Sequence, residues 1–441
     1  MIRALDLGAT APLPYAGGAA RVRIASALRA FLALMLVGNL GRVPVWSTAA
    51  RSTPILMNDV ILLGLLLAGL VAALQHHSLR IDLTATLALA FAAVGAGSAL
   101  LAVSRFGLGV TEFAVSIAYL LRWIAYFCIY PLVVNFVDAA DVGAVWRTLN
   151  ATVLAFAAFG VIQSLFLPGF AQMVQPDAGW DVQGHRLVST FLDPNFAGGL
   201  IAAILLVQLG RMAFGARVPL WQPLLLVSAL LLTISRSSLL GFAVGACLIL
   251  AVRGLARKVV RFGGIVALLI LPFLPLLIAF AARFGRFSIE GSAALRFISW
   301  MHAIRVFSDH PVIGIGFNTY GFVQRAYGWT PTSRVDFTLD GGLLFIAVMT
   351  GLVGVALYSG MLGAVLLRCR RAWKDRHRPG EERGLALGVA AATIALVVHS
   401  IFLNSLLYPF LMEVLWILWG LIHLVSRSAP PRPATGSGAP V

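Results

Sequence analysis

Arginines 186, 236, 296 and 305 stand in polar stretches of an otherwise apolar 441-residue chain. Arg186 precedes STFLDPNFAGG, Arg236 lies in TISRSS, and Arg296 and Arg305 lie in ALRFISWMHAIRVF, which runs on into SDHPVIGIGFNTYG. A guanidinium keeps its proton and presents a planar fork that matches phosphate oxygens. Gly314, Gly316 and Gly321 allow tight turns and let bare amides approach a bound group. Together these residues suit a phosphate-bearing ligand, although long loops commonly contain glycines. Two acids follow in RVDFTLDGGLL, Asp336 and Asp340. A carboxylate there can take a proton from a hydroxyl or cap the helix that begins next. In DPN, Asp193 and Asn195 read as helix-entry residues with Pro194 in the first turn.

The elements that position these residues are membrane spans. Hydrophobic residues make up 60% of the chain and charged residues 11%, against about 25% charged in soluble domains. The expected class is all-α and polytopic. Twelve spans are predicted, at 24–40, 56–75, 82–103, 112–134, 149–167, 191–209, 220–235, 237–252, 260–282, 340–367, 385–403 and 409–426. Together they form one domain over 24–426, with tails 1–23 and 427–441. The basic runs RCRRAWKDRHRPGEER and RGLARKVVR belong on the cytoplasmic side, which puts both termini inside. Two long loops then face outward, 168–190 and 283–339. The second carries six arginines against the positive-inside trend, at 283, 286, 296, 305, 325 and 334. The net charge of +16 is read as partly topogenic, with no nucleic-acid partner.

Within 294–307 the polar residues Arg296, Ser299, His302 and Arg305 oppose an apolar half that contains Trp300. This pattern predicts a helix lying on the outer leaflet and ending before Pro311. Arg236 falls between two short spans, either sunk in a protein-lined cavity or snorkelling outward. Arg122 either pairs with a carboxylate or serves the cavity. Asp59 reads as a cap. His399 and Asn404 flank the last outer turn near Tyr408, where they line a cavity or satisfy each other. His76 and His77 fall in an inner loop. Cys128, Cys247 and Cys369 form no metal or disulfide pattern.

The order of Arg186 with STFLDPNFAGG, TISRSS, Arg296-x-x-x-Trp300, HPVIGIGFNTYG and TLDGGLLFIAVMTGLVG resembles the O-antigen ligase and O-antigen polymerase superfamily of bacterial inner membranes. The resemblance covers roughly residues 180–360. It implies a helical GT-C-like fold and a large periplasmic loop with short helices. It also implies a glycan donor on undecaprenyl pyrophosphate, an acceptor glycan, a site facing the periplasm within membrane lipid, and no metal or cofactor. Carried onto this chain, Arg186 and Arg296 hold the pyrophosphate, with Arg236 less securely placed, Arg305 auxiliary, and Gly314 and Gly316 beside them. Ligases of the family have a His before the span that follows the large loop. Here Asp336 and Asp340 stand there instead, and His310 is not a clean substitute. This favours a polysaccharide polymerase, with Asp340 and then Asp336 as base or orienting group, inversion at the anomeric carbon, and a chain-length regulator as a possible partner. The alternatives are a ligase acting on lipid A core, a transporter, and an oligosaccharyltransferase using Asp59. Against a transporter, no repeat relates the two halves, and transport sites lie at midplane.

Overall fold

The computed structural model describes residues 18–48, 51–76, 79–176, 184–255, 289–329 and 339–427. Within these, the side chains of 18–23, 44–53, 76 and 289–296 are not described. The predicted span 260–282 therefore lies outside the described residues, as do Asp336, most of both tails, His77 and the side chains of Arg296 and His76.

The helices are α1 (Gly18–Leu34), α2 (Met57–His76), α3 (Leu83–Phe106), α4 (Val110–Phe127), α5 (Ile129–Phe136), α6 (Val142–Phe166), α7 (Phe170–Val174), α8 (Pro194–Ala213), α9 (Trp221–Leu232), α10 (Arg236–Val252), α11 (Ile289–Asp309), α12 (Tyr320–Val323), α13 (Gly342–Lys374), α14 (Gly380–His399) and α15 (Pro409–Arg427). Among the described residues nine helical segments are long and apolar enough to cross a membrane, and the shorter apolar helices α9 and α10 accompany them. The protein is an all-α polytopic membrane protein. Each predicted span on described residues coincides with one of these segments.

Three differences have local causes. α1 begins at Gly18 rather than at residue 24, and after Leu34 it tightens into a 3₁₀ turn, Met35–Gly41. A short antiparallel hairpin, β1 (Arg42–Thr48) with β2 (Arg51–Leu56), follows where no strand was expected. Pro44 pairs with Pro54 beside a register shift, a position where a sheet tolerates proline. α13 runs on through RCRRAWK to Lys374, because the basic residues there are good helix formers.

Small residues set the central packing. α8 and α14 meet at Gly210 and Gly388, where a Cβ on Gly210 would fall 2.5 Å from the Gly388 backbone, the small-residue contact expected of membrane helices. Polar pins secure the bundle. At one end Arg368 of α13 donates to Asp82 (2.5 Å), Tyr130 (2.9 Å) and Thr84 (3.2 Å), with His423 of α15 3.1 Å from Asp82. Asp82 also caps α3 through the Ala85 amide. Arg122 of α4 pairs with Asp59 of α2 and donates to Pro54 O at 3.0 Å. Asp59 in turn accepts the Leu56 amide at 2.8 Å, so the pairing and capping expectations both hold.

α13 is broken at Gly351 (φ 65°, ψ −167°). The extended segment after α11 fills the break. Ile315 and Gly316 donate to Val348 O and Met349 O, while Leu352 and Val353 donate to Pro311 O and Val312 O. Beyond it, the Ser116 hydroxyl donates to Phe317 O at 2.5 Å, and the Phe317 ring reaches Phe91 of α3. A backbone in hydrocarbon must satisfy its own polar groups, and here two irregular stretches satisfy each other. A Cβ on Gly351 would overlap the Val312 carbonyl. Gly351→Ala should therefore lower stability by at least about 3 kcal/mol. In the same helix Gly363 has open space, and Gly363→Ala should be neutral or stabilising by up to about 1 kcal/mol. Thermal melts of both variants in detergent check the contrast; equal Tm values would refute it.

Candidate functional site

The candidate residues lie in the turn 184–193, at the start of α10 and just before α13. The turn is anchored from two sides. Leu187 donates to Leu232 O at 2.9 Å, and the buried Gln163 carbonyl of α6 accepts from Val188 (2.9 Å) and Ser189 (3.2 Å). Ser189 and Leu192 adopt positive φ, an uncommon conformation for such residues. Asp193 then caps α8, accepting from Asn195 N at 2.7 Å and Phe196 N at 3.1 Å, with Pro194 at the helix start.

Arg186 donates from Nε to Thr233 O (2.9 Å) and from Nη2 to the Asn195 side-chain oxygen (3.4 Å). It thus bridges the starts of α8 and α10, so Asn195 serves as an acceptor for Arg186 rather than as a cap. Burial pushes the Asp193 carboxyl above its ordinary value. The Phe196 and Asn195 amides and the Arg186 guanidinium oppose that shift, and Asp340 adds to it. Arg186, Asp193 and Asp340 therefore share one electrostatic neighbourhood.

Asp340 immediately precedes α13. The Trp300 indole donates to its backbone oxygen at 2.7 Å. The helix cap is Gly341, with no side-chain capping bond. The first amides of α13, Gly342 and Leu343, donate to Leu403 O (3.0 Å) and Ser400 O (3.4 Å). The capping expectation for the Asp340 carboxylate is thus replaced by carbonyls of the 400–403 turn.

Arg296 lies one helical turn before Trp300, at an i, i+4 position on the same face of α11. Arg305 is about 140° round the helix from Trp300; it is exposed and lies near Tyr327. α11 ends at Asp309 as expected. It buries Ala303 and Val306, while Phe297, Ile298, Met301 and Ile304 stay exposed, an apolar face suited to lipid. Arg236 opens α10 behind the N-cap Ser235. Its side chain is exposed rather than sunk in a cavity, and among the described residues it makes no ion pair.

Gly314 and Gly316 require the clearest correction. The Gly314 amide closes a turn onto His310 O and the Gly316 amide donates to Met349 O at the break in α13, so neither is presented bare to a phosphate. His310 instead lies 3.4 Å from Arg105. Burial and that guanidinium push its imidazole below the ordinary value.

His399 and Asn404 do not satisfy each other. His399 bonds Ser238 and Ser405, and Asn404 donates to Leu339 O at 2.8 Å. Sequence reasoning missed Asn39, which donates to Phe191 O (2.6 Å) and to the Tyr408 hydroxyl (3.0 Å). The available signal was a lone amide ending an apolar run. Tyr408 stacks on Phe196 at 3.9 Å.

Residues 223–359 match the family model described as O-antigen ligase. That stretch contains Arg236, Arg296, Arg305 and Asp340 and excludes Arg186. No curated protein matches the chain.

Because the folded state raises the Asp193 pKa, it binds more protons than the unfolded chain above pH 3.8, the ordinary value. Stability from this group is therefore lost as pH rises through the raised pKa. Asp193→Asn stays neutral and removes that loss. The Tm difference, variant minus wild type, should grow in the variant's favour as pH is raised from 4 toward neutrality. A difference that stays flat across the range would contradict the assignment.

Proposed function

Starting from the match of residues 223–359 to the O-antigen ligase family model, we propose that the protein belongs to the O-antigen ligase and polymerase superfamily, whose members are glycosyltransferase-like enzymes, and that it is a polysaccharide polymerase. It transfers glycan from an undecaprenyl-pyrophosphate-linked donor to an acceptor sugar hydroxyl. The end of the bundle that carries Arg186 and Asp340 faces the periplasm of the bacterial inner membrane. What supports this reading is that Arg186 and Asp340 both act electrostatically on Asp193, with Arg236 opening the neighbouring helix.

The chemistry follows from charge. As the acceptor oxygen attacks the anomeric carbon, the glycosidic bond to the pyrophosphate breaks and negative charge gathers on the leaving group. Arg186, Arg236 and Arg296 stabilise that charge with their guanidiniums, and Arg305 draws the anionic donor toward them. Preorganised donors of this kind contribute roughly 3–4 kcal/mol each. Asp340 accepts or orients the hydroxyl proton, and Asp336 is the second carboxylate for that role. In-line displacement gives inversion. Gly314 and Gly316 serve indirectly, by fixing the segment that joins α11 to α13.

The test uses purified protein, a lipid-linked repeat unit and polymer length on a gel. Arg186→Ala and Arg296→Ala should each slow transfer by about 10²–10³-fold. Lysine at either position should restore little, because the fork is lost. Asp340→Asn should cost about 10²–10⁴-fold. Wild-type rates in both arginine variants would sink the charge-clamp reading. In a deletion strain, single repeat units mark a polymerase; free polymer left unattached marks a ligase.

A further inference from the structure

The two walls of the site are joined by one buried imidazole. His399 is the last residue of α14 and is 1% exposed. Its Nε2 lies 3.0 Å from the Ser238 hydroxyl of α10, and its Nδ1 is bonded to the Ser405 hydroxyl. With no acidic partner among these contacts, a neutral ring fits, one nitrogen donating and the other accepting.

Each contact continues into one wall. On the first side Ser238 reaches Asn195 O (3.1 Å) and the Ser235 hydroxyl (2.8 Å). Ser235 is the N-cap behind Arg236, and its amide donates to the Thr233 hydroxyl at 3.2 Å. Thr233 O and the Asn195 side chain are the groups that hold Arg186. On the second side, Ser405 belongs to the turn whose Ser400 and Leu403 carbonyls receive the first amides of α13. In the same turn Asn404 fixes Leu339, the neighbour of Asp340. The ring itself has little room to shift, since a Cβ on Gly199 of α8 would stand 3.3 Å from its Cε1.

We propose that His399 is a positioning residue that sets the separation between the guanidinium wall, Arg186 and Arg236, and the Asp340 wall. It is too buried to touch reactants and acts only through Ser238 and Ser405. The proposal rests on the glycan-transfer reading for its kinetic consequence but not for its structural one. A bond of this type matters because reacting groups must be held in near-attack geometry, and a displacement of about 1 Å can cost roughly 100-fold in rate.

Two measurements on the full-length protein in lipid nanodiscs test it. In the first, His399→Phe keeps a ring of similar size but can make neither bond. Its kcat should fall about 10- to 100-fold while the donor KM moves little, because charge on the donor side is intact. His399→Gln carries a donor and an acceptor on one amide and should recover much of the loss. In the second, spin labels at the exposed positions Leu240 and Met301 report the distance between α10 and α11, the helix tied to Asp340 by Trp300. The distribution should be broader in His399→Phe than in wild type and narrow again in His399→Gln. An unchanged distribution in His399→Phe overturns the proposal, as does wild-type kcat in that variant. If the wild-type protein transfers no glycan, the glycan-transfer reading fails, and the spin-label distances alone decide the positioning role.

Discussion

The site end of the molecule depends on a helix that cannot be continuous. α13 breaks at Gly351, leaving Val348 and Met349 carbonyls and Leu352 and Val353 amides without intrahelical partners. The segment 311–316 supplies all four partners from its own backbone. In hydrocarbon no water can take that role, so break and segment must form together. One consequence reaches the chemistry. Asp340 stands just before α13, and the segment is the continuation of α11, which carries Arg296 and Trp300. Holding the break therefore fixes α11 against α13, and the Trp300 bond to Asp340 O adds a second fastening along the same pair.

Arginines in this protein divide by partner. Arg122 and Arg368 are consumed by carboxylates, Asp59 and Asp82, inside rings of further hydrogen bonds. Removing either partner would strand a buried charge, which is strongly destabilising. These two arginines therefore act as fastenings between helices. Arg186 instead donates to neutral oxygens at the starts of two helices, with Asp193 already occupied by two amides. Arg236 stands exposed on the first residue of α10. Arg186 and Arg236 thus place two guanidiniums at the loops that open α8 and α10. That placement suits an anion arriving from outside the protein.

Much of this was legible in the sequence, and the limits are physical. Apolar runs of near-constant length define spans, so the helical order could be read even for the short α9 and α10. The DPN cap is a local pattern and was recognised as one. The HPVIGIGFNTYG segment stood out but suggested the wrong partner. Glycines that let a backbone approach an anion also let it approach another backbone, and Gly351, the partner position, is remote in sequence. Local propensity likewise gave no hint of the hairpin at 42–56, where Pro44 and Pro54 argue against strands. His399 was noticed beside Asn404, but its bond to Ser238 spans 161 positions, and no short-range rule relates them.

The same distinction between local and remote partners bears on the acids. Asp193 and Asp340 both precede a helix, and from sequence alone each is a plausible cap. The fold assigns that duty to only one of them. Asp193 accepts two amides of its own helix. At α13 the corresponding amides go to Ser400 O and Leu403 O, contributed by a turn roughly sixty positions away. Asp340 is thus relieved of the local task that its position predicts, while its backbone is held by Trp300 and its neighbour Leu339 by Asn404. A carboxylate fixed through its backbone is what the proposed proton transfer requires. Asp193, buried and committed, is the acid that chemistry would leave alone.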